Sequence, residues 1–327
     1  MSSSITKDSK IYIAGHNGMV GAACWRALEA KGYINIIGFS SKELDLRDQK
    51  AVFNMLEREK PEAIIDSAAR VGGILANSTY PYQFLMDNML IQNNLISSAH
   101  KLDIQKFLFL GSSCIYPKMA PQPLKEEYLL TGPLEETNQW YAIAKISGVK
   151  LIQALRNQYN RDYVSLMPTN LYGPGDNYNL KTSHVLPAMI RKFHEAKLNG
   201  HSDVVLWGTG IPKREFLHVD DLASAVVFAL ENKMEEHLYN IGSGAEISIR
   251  DLANLVQKII GHNGNIVWDK SKPDGTPRKL MDSLLIIKKG WNSSLNLKTG
   301  IRSTYDFYVK YLKNKYERNN SCRRDWN

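Results

Sequence analysis

Lys10-Ile11-Tyr12-Ile13-Ala14-Gly15-His16-Asn17-Gly18-Met19-Val20-Gly21 is a short apolar strand that runs straight into a glycine loop, and a helical pattern over 19–31 follows at once. That order decides the fold. The spacing Gly15-x-x-Gly18-x-x-Gly21 permits a tight turn and lets backbone N–H groups approach a pyrophosphate at the positive end of a helix. Outward from this loop, strands are predicted over 34–39, 63–65, 107–110, 163–167 and 238–241. Between them come helices over about 48–59, 82–102 and the stretch after 141. In the helix over 82–102, Asn88, Asn93 and Asn94 are read as surface or packing polar groups. Alternation of this kind predicts an α/β protein built on a Rossmann-type, doubly wound parallel sheet.

The bulk numbers agree with a globular enzyme-sized chain. It has 327 residues, 43% hydrophobic and 23% charged, enough for one large or two intimate domains. A net charge of +8 is spread along the chain, with only the tail after Lys310 noticeably basic. No basic-aromatic motif accompanies it, so a nucleic-acid partner is not expected, whereas an anionic small ligand is. Cys24, Cys114 and Cys322 lie far apart with no histidine cluster, which argues against a disulfide framework or a metal site. The first residues lack the apolar core of a signal peptide and no run of about 18 apolar residues occurs. A soluble, cytoplasmic protein with no membrane partner is expected.

The chemistry concentrates between Leu110 and Lys145. Leu-Gly-Ser-Ser-Cys-Ile-Tyr-Pro (110–117) ends a buried strand where side chains face the ligand crevice, and Thr-Asn-Gln-Trp-Tyr-Ala-Ile-Ala-Lys (137–145) opens a helix. Tyr141 and Lys145, four apart, share one helix face. An ammonium there lowers the phenol's pKa, so that Tyr141 can exchange protons near neutral pH, and Ser112 can hydrogen-bond the same substrate oxygen. Tyr311 and Lys315 repeat the spacing in a polar C-terminal helix, where they read as a solvated face.

Beyond 170 the alternation loosens. Thr182-Ser183-His184 precedes a helix over 185–198, 204–207 is a short strand, and Arg-Glu-Phe-Leu-His-Val-Asp-Asp (214–221) is read as opening a helix. A helix over 249–260 and a rigid loop over 272–282 follow. At the end of the second strand, Phe39-Ser40-Ser41-Lys42 lacks the acid that would bind ribose hydroxyls, which favours NADP over NAD.

Taken together, Gly-His-Asn-Gly-Met-Val-Gly (15–21), Val-Gly-Gly-Ile-Leu-Ala-Asn (71–77), Gly-Ser-Ser-Cys-Ile-Tyr-Pro (111–117), Leu-Glu-Glu-Thr-Asn-Gln-Trp-Tyr-Ala-Ile-Ala-Lys (134–145), Pro-Thr-Asn-Leu-Tyr-Gly-Pro (168–174), Ser-His-Val-Leu-Pro (183–187), the 214–221 run and Lys-Pro-Asp-Gly-Thr-Pro-Arg-Lys (272–279) resemble an extended short-chain dehydrogenase/reductase, and more narrowly the GDP-L-fucose synthase family. The resemblance covers residues 10–311. It implies epimerisation of GDP-4-keto-6-deoxy-D-mannose at C3 and C5, then reduction of C4 with NADPH. It assigns proton transfer to Cys114 as base and His184 as acid, beside Ser112, Tyr141 and Lys145. It places the cofactor against Gly15 to Gly21, Ser40, Ser41, Lys42, Lys145, Pro168, Asn170, Leu171 and His184. Lys192, Trp207, Arg214, Arg278 and Asp282 would hold the GDP-sugar, Arg214 and Arg278 pairing with its diphosphate.

Against that pattern, Asn17 and Ser40 or Ser41 stand where the family carries arginines for the 2′-phosphate, so NADH is the alternative coenzyme. Lys192 replaces an arginine, and Trp140 a smaller residue. Another GDP-4-keto sugar, such as a 6-deoxy-heptose, is the alternative substrate. Further options are a 4-epimerase or dehydratase, which would not require Cys114 and His184, and a non-enzymatic regulator, which would not need to keep all five reactive residues. Residues 1–170 with about 216–243 would form the dinucleotide domain, and about 171–215 with 244–327 the sugar lobe. Pairing through 82–102 and 141–159 would give a homodimer.

Overall fold

The computed structural model describes residues 5–272 and 274–324; the side chains of Ile74 and of 313–324, and with them Lys315 and Cys322, lie outside the described residues. The chain begins β1 (Ile11–Ala14), α1 (Met19–Ala30), β2 (Ile36–Ile37), α2 (Gln49–Glu59), β3 (Ala63–Asp66), α3 (Ile74–Thr79), α4 (Pro81–Lys101) and β4 (Lys106–Leu110). It continues α5 (Gln139–Tyr159), β5 (Asp162–Pro168), β6 (Asn170–Tyr172), α6 (Val185–Asn199), β7 (Asp203–Trp207) and β8 (Lys213–His218). The last third is α7 (Val219–Glu231), β9 (Leu238–Ile241), β10 (Glu246–Ser248), α8 (Ile249–Ile260), β11 (Asn265–Asp269), β12 (Arg278–Lys279), α9 (Leu284–Lys289) and α10 (Leu297–Arg324).

The main sheet has the order β2-β1-β3-β4-β5-β9, parallel throughout. Every residue of β1, β3 and β4 is buried, as expected of parallel strands covered on both faces. Ile11 and Ile13 point to one core, which Leu28 and Val226 complete; Tyr12, Ile64 and Phe109 point to the other, with Val52, Leu95 and Val149. The chain leaves β1 for β2 on one side and returns to β3 on the other. Such a reversal opens the ligand crevice at the strands' carboxyl ends.

A second body of structure packs on residues 172–312. β8 pairs with β6, β10 and β12, while β7 and β11 form a parallel pair. Its core joins Leu186, Ile190, Phe193, Phe216, Leu252, Val256 and Ile301. Met281, Ile286 and Trp291 pack instead into the two cores of the main sheet, so the chain crosses back after β12.

Three local readings change. The run 214–221 is a strand before it is a helix: β8 extends to His218, whose Nδ1 accepts the Asp220 N–H at 3.2 Å and starts α7. The loop over 272–282 contains β12. The second strand shortens to Ile36–Ile37, because it pairs with β1 alone. Of the α4 asparagines, Asn88 and Asn94 are packing groups, as one of the two readings had it: Asn88 bonds both backbone groups of Arg70, and Asn94 the Leu46 carbonyl.

One buried side chain ties these parts together. Glu215 is fully enclosed on β8; its carboxylate accepts the N–H of Gly244 at 2.7 Å and of Met281 at 2.9 Å. Its main-chain oxygen accepts from Asn170 Nδ2 at 2.8 Å and Thr169 Oγ1 at 3.3 Å. Glu215→Ala strands two buried donors and is expected to lower unfolding free energy in urea by about 2–4 kcal/mol, at ~1–3 kcal/mol per orphaned group. A loss under about 0.5 kcal/mol, the usual scale of surface changes, would contradict this role.

Candidate active site

The glycine loop is shaped by close backbone approaches. Gly15 has φ 79°, and a Cβ there would lie 2.9 Å from the Ala68 backbone; a Cβ on Gly21 would run into the Gly15 carbonyl. At the start of α1, Gly18 offers no side-chain cap, so the first-turn N–H groups face the crevice without a side-chain acceptor. Met19 and Val20 anchor that turn against the core. His16 packs on Trp25 with ring centroids 5.8 Å apart, and its buried Nδ1 has no partner among the described residues. Bare backbone donors, an open positive helix end and an orphaned ring nitrogen suit a nicotinamide dinucleotide.

Just beyond residues 39–42 a carboxylate folds back onto the strand end. Glu43, exposed in the turn after β2, accepts both the N–H and the hydroxyl of Ser40 at 2.7 Å. The Ser40 bonds hold its carboxyl below the usual range. The region is therefore less open to a 2′-phosphate than its residues in isolation suggested. Asn17, Ser41 and Lys42 are solvent-exposed around it.

Ser112 leaves β4 extended, and its Oγ accepts the Cys114 N–H at 3.4 Å, starting a short 3-10 turn over Ser113–Ile115. Tyr141 and Lys145 stand on α5 as expected. The expected depression of the phenol is not met. Lys145 Nζ donates to the Leu110 carbonyl at 2.9 Å, sits 4.6 Å from the Phe109 ring and lies 6.0 Å from the Tyr141 ring. Burial, with the negative forms of Cys114 and Asp66 nearby, holds the phenol above its ordinary value. Burial likewise pushes the Lys145 ammonium down, against Asp66 and Cys114.

Cys114 is buried and pushed up by that burial, while Lys279, the Ser112 hydroxyl and Lys145 draw it back. His184 caps the start of α6 with solvent contact, yet the protein packed around its ring pushes its imidazole down, and the Lys279 charge adds to this. The sequence reading passed over Lys279. It lines one cavity with Ser113, Cys114, Asn138 and Arg278, and its ammonium is pushed down chiefly by burial. Its only signal was membership of the 272–279 block.

Other residues scatter more. Pro168 ends β5, and Asn170 and Leu171 open β6, Asn170 bonded to Glu215. Lys192 donates to the Val205 carbonyl at 2.7 Å, near a half-exposed Trp207 that has Lys272 Nζ 5.7 Å from its ring. Arg214 reaches the Asp274 carbonyl at 3.4 Å, and burial pushes its guanidinium down. Arg278 is paired with Glu246 at 2.7 Å. Asp282 follows β12, and its Oδ1 accepts the Leu284 N–H at 3.0 Å at the start of α9. The acid near Arg214 is Asp274, which also binds Thr209. Among the described residues no group of three His, Cys, Asp or Glu is placed to hold a metal ion, and no helix is long and apolar enough to cross a membrane.

Residues 11–242 match the NAD dependent epimerase/dehydratase family, and the chain belongs to it. Within that family it is 53% identical to GDP-L-fucose synthase 1 of Arabidopsis thaliana over 96% of this chain and 98% of the relative. It is 48% identical to the GDP-L-fucose synthase of Escherichia coli, over 92% and 97%. Among solved structures, a GDP-mannoheptose C4 reductase from Campylobacter jejuni with NADP bound superposes with a TM-score of 0.86 at 36% identity, covering 93% of this chain and 99% of that one.

Gly21→Val should weaken dinucleotide binding by on the order of tenfold, since forcing a side chain into a packed turn costs about 1–3 kcal/mol. Tryptophan-fluorescence titration with NADPH and NADH checks this; unchanged binding of both would remove the loop from the cofactor site.

Proposed function

We propose that this protein is a GDP-L-fucose synthase, acting on GDP-4-keto-6-deoxy-D-mannose as a bifunctional epimerase and reductase. The observation that carries the reading is the meeting of the turn after β4 with the start of α5: the Cys114 N–H reaches Ser112 Oγ at 3.4 Å, Lys145 Nζ lies 2.9 Å from the Leu110 carbonyl and 6.0 Å from the Tyr141 ring, and Lys279 lines one cavity with Cys114. The near-50% likeness to synthases of that name favours this substrate over a GDP-4-keto-6-deoxy-heptose.

The hydrogens at C3 and C5 are both alpha to the C4 ketone. Loss of either leaves an enolate whose oxygen Ser112 and Tyr141 can stabilise by hydrogen bonding. Inversion needs a base on one face and an acid on the other, and Cys114 and His184 come from different elements. Burial pushes the Cys114 thiol up, and the Lys279 charge, the Ser112 hydroxyl and the Lys145 charge draw it back toward the thiolate that a base must present. After epimerisation Tyr141 gives its hydroxyl proton to the C4 oxygen, and the phenolate left behind is balanced by the Lys145 ammonium. The coenzyme, when bound, supplies the hydride; Gly15 to Gly21, Lys145, Pro168, Asn170 and Leu171 would hold it. NADPH is the proposed coenzyme and NADH the alternative. Arg214, Lys279 and Arg278 would neutralise the GDP diphosphate, with Lys192 and Trp207 on the nucleotide side.

We assign the main sheet to the coenzyme and the lobe of residues 171–215 and 244–327 to the sugar, apart from Met281, Ile286 and Trp291, which return to the cores of the main sheet. The protein would work in the cytoplasm as a homodimer through α4 and α5, where Tyr82, Leu90, Trp140 and Ile143 are exposed.

Incubation with GDP-4-keto-6-deoxy-D-mannose in deuterated water, with NADPH and NADH apart, tests the whole reading. Coenzyme oxidation with deuterium at C3 and C5 is expected. Oxidation without deuterium would leave a reductase only, and inertness would move the search to larger GDP-4-keto sugars. Tyr141→Phe should cut reduction by about 10²–10⁴-fold, the usual weight of a positioned proton donor; full turnover would remove Tyr141 from the chemistry. Cys114→Ser is expected to lose deuterium uptake while still binding coenzyme, and normal exchange would take the thiol out of the mechanism.

A further inference from the structure

Asp66 is wholly buried at the carboxyl end of β3 and has no part in the chemistry above. Its Oδ1 accepts the Ala68 N–H at 3.2 Å, while Oδ2 has no hydrogen-bond partner among the described residues. A half-satisfied buried carboxylate is costly unless an opposite charge stands by. The strand register indicates which charge that is. Asp66 lies opposite Ala14 on β1 and Phe109 on β4. Period-two alternation puts it on the face of Tyr12 and Phe109, which α5 covers through Ile146 and Val149. Lys145, also on α5, sets its Nζ over that same Phe109 ring and bonds the next carbonyl, Leu110.

We propose that Asp66 is a positioning residue for Lys145: its buried carboxylate is the counter-charge that keeps the ammonium charged and directed to the Leu110 carbonyl beside Tyr141. The inference rests on reading Tyr141 and Lys145 as the reduction pair. The titratable groups facing Asp66 are Tyr12 from β1, whose buried hydroxyl is likewise unpartnered, and Tyr141 and Lys145 from α5. Burial pushes the Asp66 carboxyl up to about 6, and Lys145 is the first influence drawing it back. The same burial pushes Lys145 down, with Asp66 the first of the groups that hold it up. At neutral pH Asp66 is thus mostly ionised and supports the charged lysine.

Asp66→Asn keeps the shape and removes the charge. The pH profile of ketone reduction, followed by coenzyme absorbance at saturating substrate, is expected to move its basic limb down by about 1 unit or more, the effect of losing an opposite charge at close range. NADPH binding by fluorescence quenching confirms that the variant is folded. Profiles that superimpose overturn the proposal. Should the asparagine variant not fold, Asp66→Ser is read in the same way against the same expected shift. Undiminished turnover in Tyr141→Phe would instead remove the reduction reading, so the two failures are distinguishable.

Discussion

Donors converge on Glu215, two backbone N–H groups on its carboxylate and two side chains on its carbonyl, and the geometry of the site depends on that junction. A carboxylate buried in the sheet must find hydrogen-bond partners or titrate. Glu215 takes its partners from the loop after β9 and the segment after β12, while its carbonyl holds the turn between β5 and β6. Residues 168–171, 242–244 and 279–281 are thereby fixed relative to β8, which carries Arg214. A crevice lined by loops from two lobes gains a rigid hinge, because the joint lies in the core and not at the surface. Gly242 fits the same joint: a Cβ there would collide with the Glu215 carboxylate.

Desolvation sets the proton inventory around that crevice. Burial pushes acids up and cations down in the same small volume: Tyr141 and Cys114 hold their protons more tightly, while Lys145, Lys279 and His184 release theirs more readily. In such a medium each remaining charge acts strongly on its neighbours, which is why Lys279 bears on both Cys114 and His184. In the proposed chemistry an incoming diphosphate would add negative charge beside Lys279 and Arg214 and favour their protonated forms.

What could be read from the sequence was local. The glycine loop, the alternation of buried strands and amphipathic helices, and the Tyr141–Lys145 pair are encoded within a few residues of one another. The parallel sheet and the crevice follow from them. Glu43 drew no notice because it lies beyond the strand end where the rule looks, and only a turn folds it back onto Ser40. The 214–221 run was misread because both faces of β8 are covered: Glu215 and Phe216 are equally enclosed, and periodicity carries no signal there. Lys279 and Asp66 were passed over because charged residues default to solvent in a linear reading, and only distant packing buries them. Asp282 carries a local bond that its motif did not signal, its Oδ1 accepting the Leu284 N–H at the start of α9.

The placement of His184 gives a physical role to a block that motif reading could only match. Inverting a carbon requires proton carriers from opposite sides, so base and acid cannot share one turn of chain. Cys114 is fixed to the main sheet by the turn after β4, whereas His184 begins α6 in the other lobe. Their separation must be held by something that spans the two. Gly73 does so: its N–H donates to the Thr182 carbonyl at 3.0 Å, and a Cβ there would press within 2.9 Å of the Ser183 carbonyl. The Val71-Gly72-Gly73 stretch follows β3, whose end carries Asp66. The strand bearing the lysine's counter-charge thus also braces the start of α6, and in the proposed chemistry the reductive and epimerising groups share one support.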